Sequence, residues 1–186
     1  MNHPQVNVVL EEHMSDEILR AVREEVADIG IIGGNVGSHE LEVFPYANDR
    51  MVVITPLEHP LSRRETVDFE EAIGHQFVGV SESNTLHFFL ARLAGQLGKA
   101  FRTRTQVRSL YEVSRLVEAG VGISIIEETA ARRFAATMKI SIVPLSDPWA
   151  VRHIRICVRQ LSALPPFAQE LVAQLRARQA PYAVST

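Results

Sequence analysis

The run GVSES, residues 79–83, places a serine between a strand-like stretch and a helix-like stretch, where a nucleophile elbow would stand. The elbow requires Gly-x-Ser-x-Gly, because its last glycine permits the sharp turn that exposes the hydroxyl. Ser83 occupies that last position here. The run therefore reads as a strand end followed by a helix cap, or as a small anion site where hydroxyls and free amides meet a carboxylate. Seven histidines (His3, His13, His39, His59, His75, His87 and His153) are scattered, without His-x-His, His-Glu-x-x-His or any cysteine pair. Metal ligation needs convergent donors, so no metal and no cofactor is expected, and each histidine reads as a surface or loop residue. The acid pairs Glu11–Glu12, Glu70–Glu71 and Glu127–Glu128 fall at element ends, where solvation is the expected state. The short basic spots at residues 62–64 and 131–133 read as solvated faces.

Two glycine clusters remain. DIGIIGGN, residues 28–35, follows a strand but lacks the Gly-x-Gly-x-x-Gly that opens a dinucleotide-binding helix. It reads as a turn, or as a backbone rim facing a ligand at the strand's carboxyl end. In RLVEAGVGISIIEE, residues 115–128, Gly120 is placed as the left-handed residue just past a helix, and Gly122 as the point where the chain turns into a strand. No phosphate is cradled there, because the next element is a strand and not a helix.

The elements that must position these residues follow from the hydrophobic pattern. Residues 6–12 read as a short β-branched strand, and residues 15–27 as a helix capped by Ser15 or Asp16 with Ile18, Leu19, Val22 and Val26 inward. Residues 28–34 read as a buried strand, giving a parallel β-α-β unit. A long extended run follows, with a buried strand over residues 50–55 closed by Pro56 and Pro60. A short helix near Asp68, a strand over residues 76–80, a helix capped by Ser83 or Asn84 and stopped by Gly98, and a strand over residues 101–109 come next. Ser109 caps a helix with Leu110, Val113, Leu116 and Val117 inward, followed by strand, helix, two strands and a final helix. This alternation predicts an α/β fold with mostly parallel sheets. Two extended runs, one before Pro60 and one at RHIRICVR, suit a two-lobed binding module whose chain leaves the first lobe and later returns.

Composition narrows the function. The 186 residues are 46% hydrophobic and 22% charged, as in an ordinary globular protein long enough for a real core. A formal charge of −3 offers no basic footprint for phosphates, so direct nucleic-acid contact is not expected. The single cysteine, Cys157, allows no internal disulfide and reads as half-buried on a strand. No secretory leader pattern and no run of membrane-span length is present, which points to the cytoplasm.

Several pieces in order resemble the effector-binding domain of LysR-type transcriptional regulators: Pro4 before VNVVLEE, the AVREEVADIGII helix and strand, LEHPLSRRETVDFEEAIGHQFVGV, SLYEVSRLVEAGVGISIIEE, ISIVPLSD, and RHIRICVR before a last helix. The resemblance implies a periplasmic-binding-protein-like fold. Two Rossmann-like subdomains, residues 1–53 with 153–186 and residues 54–152, would be joined by two crossing strands, with a small-molecule effector between them. It also implies promoter DNA bound through an N-terminal helix-turn-helix outside these residues, and homodimers or tetramers. The family pattern has one more strand and helix before the position of Pro4, so these residues are expected to be a fragment, with part of the ligand cage outside them.

By position, the resemblance implies effector contacts at Gly33, Gly34 and Asn35, at Ser81, Ser83, Asn84 and Thr85 before one helix, and at Val107, Arg108 and Ser109 before another. Thr85 and Ser109 are the preferred pair, since helix N-termini favour carboxylates. A stand-alone solute-binding protein and a small α/β hydrolase are the alternatives. The first is disfavoured by the leaderless start and the second by the incomplete motif.

Overall fold

The computed structural model describes residues 3–33, 37, 40–80 and 85–177, the side chain of Thr85 excepted. In chain order the elements are α1 (Ser15–Arg23), β1 (Gly30–Gly33), β2 (Glu42–Pro56), a 3₁₀ turn (Pro60–Arg63), α2 (Phe69–Ala72), β3 (Phe77–Val80), α3 (Thr85–Gln96) and β4 (Thr103–Val107). Then come α4 (Leu110–Glu118), β5 (Ser124–Glu127), α5 (Glu128–Ala135), β6 (Ile140–Pro144), a 3₁₀ turn (Pro148–Ala150), β7 (Val151–Val158), a 3₁₀ turn (Leu161–Ala163) and α6 (Pro166–Ala177). The chain forms two compact units, Met1–Asn48 with Arg152–Thr186 and Asp49–Val151. Both passages between them fall within or at the end of a strand, β2 and β7.

In the first unit β1 pairs antiparallel with β7, Gly30 facing Cys157 and Gly33 facing Ile154. Leu19 and Val22 of α1 pack onto Ile32 and Cys157. The contact is close enough that a Cβ on Gly30 would lie 2.6 Å from Ile18 Cγ2 and 2.7 Å from Cys157 Sγ, so only glycine fits without displacement. On a second cluster, Ile156 and Val158 of β7 meet Val172 of α6. Cys157 is fully buried rather than half-buried, and burial raises its thiol pKa.

Three further expectations fail in this unit. Residues 6–12 form no strand: Val8, Val9 and Leu10 are 71%, 84% and 90% exposed, with no neighbouring strand to pair the backbone. β propensity supplies no stability without a neighbouring strand and a buried face, and among the described residues no strand ladders with this segment. Helix α1 stops early because the chain turns at Glu25 (φ 60), which leaves Val26 outside the helix and 78% exposed instead of inward. Ser15 is not its cap; the hydroxyl instead accepts from Gly33 N and donates to Gly33 O, both at 3.2 Å.

In the second unit β2 is flanked by β5 and β6, both antiparallel, with Val53 facing Ile125 and Val143. Residues Met51, Val52, Val53 and Ile54 are at most 1% exposed, so this half of β2 is buried on both faces. β3 and β4 pair in parallel. The sheets are thus mixed: among the pairings whose direction is described, β1–β7, β2–β5 and β2–β6 are antiparallel, and β3–β4 and two isolated bridges are parallel. Strand–helix alternation predicts parallel pairing only where consecutive strands are neighbours. The antiparallel partners here, β1 with β7 and β2 with β5 and β6, are far apart in sequence.

Local chemistry explains the second unit's helices. Asp68 caps α2 by accepting from Glu71 N at 2.7 Å. Helix α4 buries Val113 and Val117, four residues apart on one face, and Ser114 satisfies its buried hydroxyl on Leu110 O at 2.8 Å. It closes at Gly120 (φ 78), with Gly120 N donating to Val117 O and Val121 N to Leu116 O, the two bonds of a Schellman ending. Gly122 has a different reason. A Cβ there would press into the Gln76 carbonyl, whose oxygen also accepts from Ile123 N at 2.8 Å. The residue permits close backbone approach, not a turn. Glu128, expected to be solvated, is only 8% exposed and accepts from Arg132 Nε at 2.8 Å.

Candidate functional site

Parallel pairing of β3 with β4 sets Gly79 beside Gln106 and Val80 beside Val107. Both strands therefore end at one edge of the second unit. Helix α3 begins at Thr85, shortly after the first, and α4 begins at Leu110, directly after the second. Helix N-termini carry unpaired amides and partial positive charge, so this edge collects anion-binding capacity from two helices. Of the expected contacts, Val107 ends β4, Arg108 and Ser109 are exposed, and Thr85 opens α3. Ser81, Ser83 and Asn84 lie outside the described residues.

The N-terminus of α4 already holds a carboxylate. Glu112 Oε2 accepts from Arg108 N at 3.0 Å, Ser109 N at 3.1 Å and Ser109 Oγ at 3.2 Å, while Ser109 Oγ accepts from Glu112 N at 3.3 Å. This reciprocal capping box satisfies donors that would otherwise be free. Arg108 thus contributes its backbone here, with its side chain exposed.

In the first unit Gly33 ends β1, where its amide and carbonyl are both engaged by Ser15. Arg152 packs over it: a Cβ on Gly33 would meet Nη2 at 2.8 Å. Gly34 and Asn35 lie outside the described residues.

Sequence reasoning missed a pocket in the second unit, lined among others by Phe77, Leu86, Leu90, Phe101, His87 and Ser124. Val80 and Leu110 reach it from the edge where β3 ends and α4 begins. Among the described residues its wall is largely apolar and contains no lysine, arginine or carboxylate. The His87 ring tilts against Phe101 with centroids 5.5 Å apart, and its buried Nδ1 has no hydrogen-bond partner among the described residues. Ser124 on β5 is 4% exposed. No sequence signal separated His87 from the other scattered histidines. Its placement depends on packing against Phe101, fourteen residues away in the chain.

Among the described residues no three histidine, cysteine, aspartate or glutamate side chains cluster in a way that would hold a metal ion. His59 and His75 do meet, edge to face at 4.7 Å, but His59 Nδ1 accepts from Leu61 N at 3.2 Å and so caps the 3₁₀ turn.

Comparison with known proteins places this geometry. The "LysR substrate binding domain" family model matches residues 1–180. A probable RuBisCO transcriptional regulator of Synechocystis sp. is 25% identical over 182 residues, covering 92% of this chain and 53% of that protein. The HTH-type transcriptional regulator YbhD of Escherichia coli is 27% identical, covering 93% and 54%. The chain thus spans about half the length of these relatives. Among solved structures, the Synechocystis CcmR regulatory domain in complex with 2-PG superposes with a TM-score of 0.73 at 16% identity, covering 97% of this chain and 87% of that one. The BenM effector-binding domain with its effector benzoate gives a TM-score of 0.65 at 22% identity, covering 95% and 81%. At those identities the superpositions speak for the fold, an α/β architecture of the periplasmic-binding-protein type. With the family model spanning nearly the whole sequence, the chain belongs to the LysR substrate-binding domain family.

Proposed function

We propose that this chain is the effector-sensing part of a LysR-type transcriptional regulator, acting by binding and not by catalysis. The effector is a small carboxylic acid held at the edge where β3 and β4 end, with Thr85 and Ser109 at the starts of α3 and α4 as its principal contacts. Gly33, Gly34 and Asn35 contribute from the first unit, and Ser81, Ser83, Asn84, Val107 and Arg108 from the second. Residues 1–53 with 153–186 and residues 54–152 act as the two regulatory subdomains. Binding shifts the regulator between arrangements for which the effector has different affinities, since a ligand without that difference shifts nothing. DNA is contacted through a segment outside this chain, the regulator works in the cytoplasm as a homodimer or tetramer, and no cofactor takes part.

The observation that carries this reading is the Glu112 carboxylate resting on the amides of Arg108 and Ser109. The N-terminus of α4 binds a carboxylate in its own structure. A thermal-shift screen with small carboxylates, repeated on Thr85→Ala and Ser109→Ala, tests it. One or more acids should stabilise the parent chain and stabilise the variants less. Equal stabilisation of all three would remove these residues from the site.

A further inference from the structure

The chain passes between its two units twice, within β2 at residues 48–49 and at the start of β7 at residues 151–152, and β2 and β7 are neighbours in one sheet. On the first-unit side both passages are held up to the boundary. Ile154 faces Gly33 in the β1–β7 ladder, and the guanidinium of Arg152, two residues earlier, lies against Gly33. Between them stands His153, whose ring Nδ1 donates to Asn48 Oδ1 at 2.8 Å across 105 residues of sequence. Asn48 is the last residue before the chain leaves this unit, and His153 is the second after it returns. On the second-unit side the anchors are equally close. Met51 is 1% exposed and faces Glu127 in the β2–β5 ladder, while buried Ala150 closes a 3₁₀ turn by donating to Asp147 O at 3.0 Å. A short stretch of each passage lies between its two anchors: Asp49 and Arg50 in one, and Val151, 41% exposed, in the other. The Arg50 amide donates to Asp49 Oδ1 at 2.7 Å, a bond local to that stretch.

We propose that Asn48 and His153 form a clasp that makes the two passages turn as one joint, with Asp49, Arg50 and Val151 as its pivot. A hinge absorbs its change of dihedral angles in a few residues at element ends. A cross-strand pair bonded just outside those residues decides whether the two strands bend together or one at a time. Because both partners belong to the first unit, the clasp fixes both strands to the same body and leaves the turning to the three residues beyond it. Asn48 and His153 are positioning residues, acting through the strands and not on a ligand. The clasp operates whichever effector the chain binds.

Amide hydrogen exchange, read residue by residue by NMR on the whole chain, tests this with Asn48→Ala, His153→Ala and the double variant. Each single substitution should speed exchange at Asp49, Arg50 and Val151 roughly two- to tenfold, in both passages at once, the worth of one net hydrogen bond in a local opening. The double variant should be no faster than either single one, since both remove the same bond. Asn48→Asp keeps an acceptor oxygen and should retain the parent's rates. The amides of Val113 on α4 and Val158 on β7 report on the units themselves and should not change. Faster exchange confined to the substituted strand, effects that add in the double variant, or an equal rise at Val113 and Val158 would overturn the proposal, as would unchanged rates in every variant.

Discussion

Glu112 and Ser109 hold each other across the first turn of α4: the serine hydroxyl accepts from the glutamate amide at 3.3 Å, and the glutamate carboxylate accepts from the serine amide at 3.1 Å. An external acid that uses the same amides has to displace or sit beside that carboxylate. Removing its charge while keeping an acceptor, Glu112→Gln, should raise the affinity for a bound carboxylate roughly two- to fivefold, the scale of one charge near a helix terminus. Ser109→Ala should lower stability by about 1 kcal/mol through loss of the cap. Titration calorimetry reads the first and urea unfolding the second.

Two glycines should respond in opposite directions to alanine. Gly122 lies against the Gln76 carbonyl, so Gly122→Ala forces backbone apart and should cost roughly 1–3 kcal/mol. Gly95, inside α3 with nothing within 4 Å of an added Cβ, should gain about 0.5–1 kcal/mol from better helix propensity. Urea midpoints of the two variants, moving to either side of the parent, check both.

Apolar residues should differ by environment and not by type. Val9, 84% exposed on a segment that forms no strand, should tolerate lysine within about 0.5 kcal/mol. Ile126, fully buried in the cluster with Val52, Ile54, Val113 and Val117, should cost roughly 2–5 kcal/mol as alanine. A Val9→Lys variant as damaged as Ile126→Ala would mean that residues 6–12 are paired after all.

The same contrast shows what was legible in the sequence. Period and capping fixed α2, α3 and α4, because Asp68, Gly98, Ser109 and Gly120 each do a job set by local backbone chemistry. Strand pairing was not legible, since the partners of β1 and β2 lie about a hundred residues along the chain in β7, β5 and β6. Ser109 could be placed at the start of α4 because a cap has a signature. His87 and Ser124 could not, because a pocket wall assembled from β3, α3, Phe101, α4 and β5 leaves no spacing in any one of them. Gly122 was recognised as special for the wrong reason, a turn instead of a close approach.

Acid should weaken the fold through His59. Burial first, and then the neighbouring His75, hold its pKa below the usual value of 6.5. The unfolded chain therefore takes up the proton first, and the stability this residue contributes is complete above about pH 6.5. It is lost as pH falls through the lowered folded-state value. Protonation also removes the acceptor that caps the 3₁₀ turn through Leu61 N. The charges on the segments that meet here include Glu58 beside His59, Arg63 ending the turn, Arg64 after it, and Glu70 and Glu71 on α2, with Arg64 paired to Glu71 at 3.1 Å and Lys99 to Glu70 at 3.1 Å. His59→Asn keeps a capping side chain without a titrating group. Unfolding curves measured from pH 8 to pH 5 should be flatter for this variant than for the parent.

The most direct test of the central claim is an amide NMR titration of this chain with benzoate and with shikimate. Saturable shifts gathered on Thr85, Arg108, Ser109 and Leu110, with at least one of the two acids, are the predicted result. Saturable shifts gathered elsewhere, or no saturable shift with either acid, would contradict it.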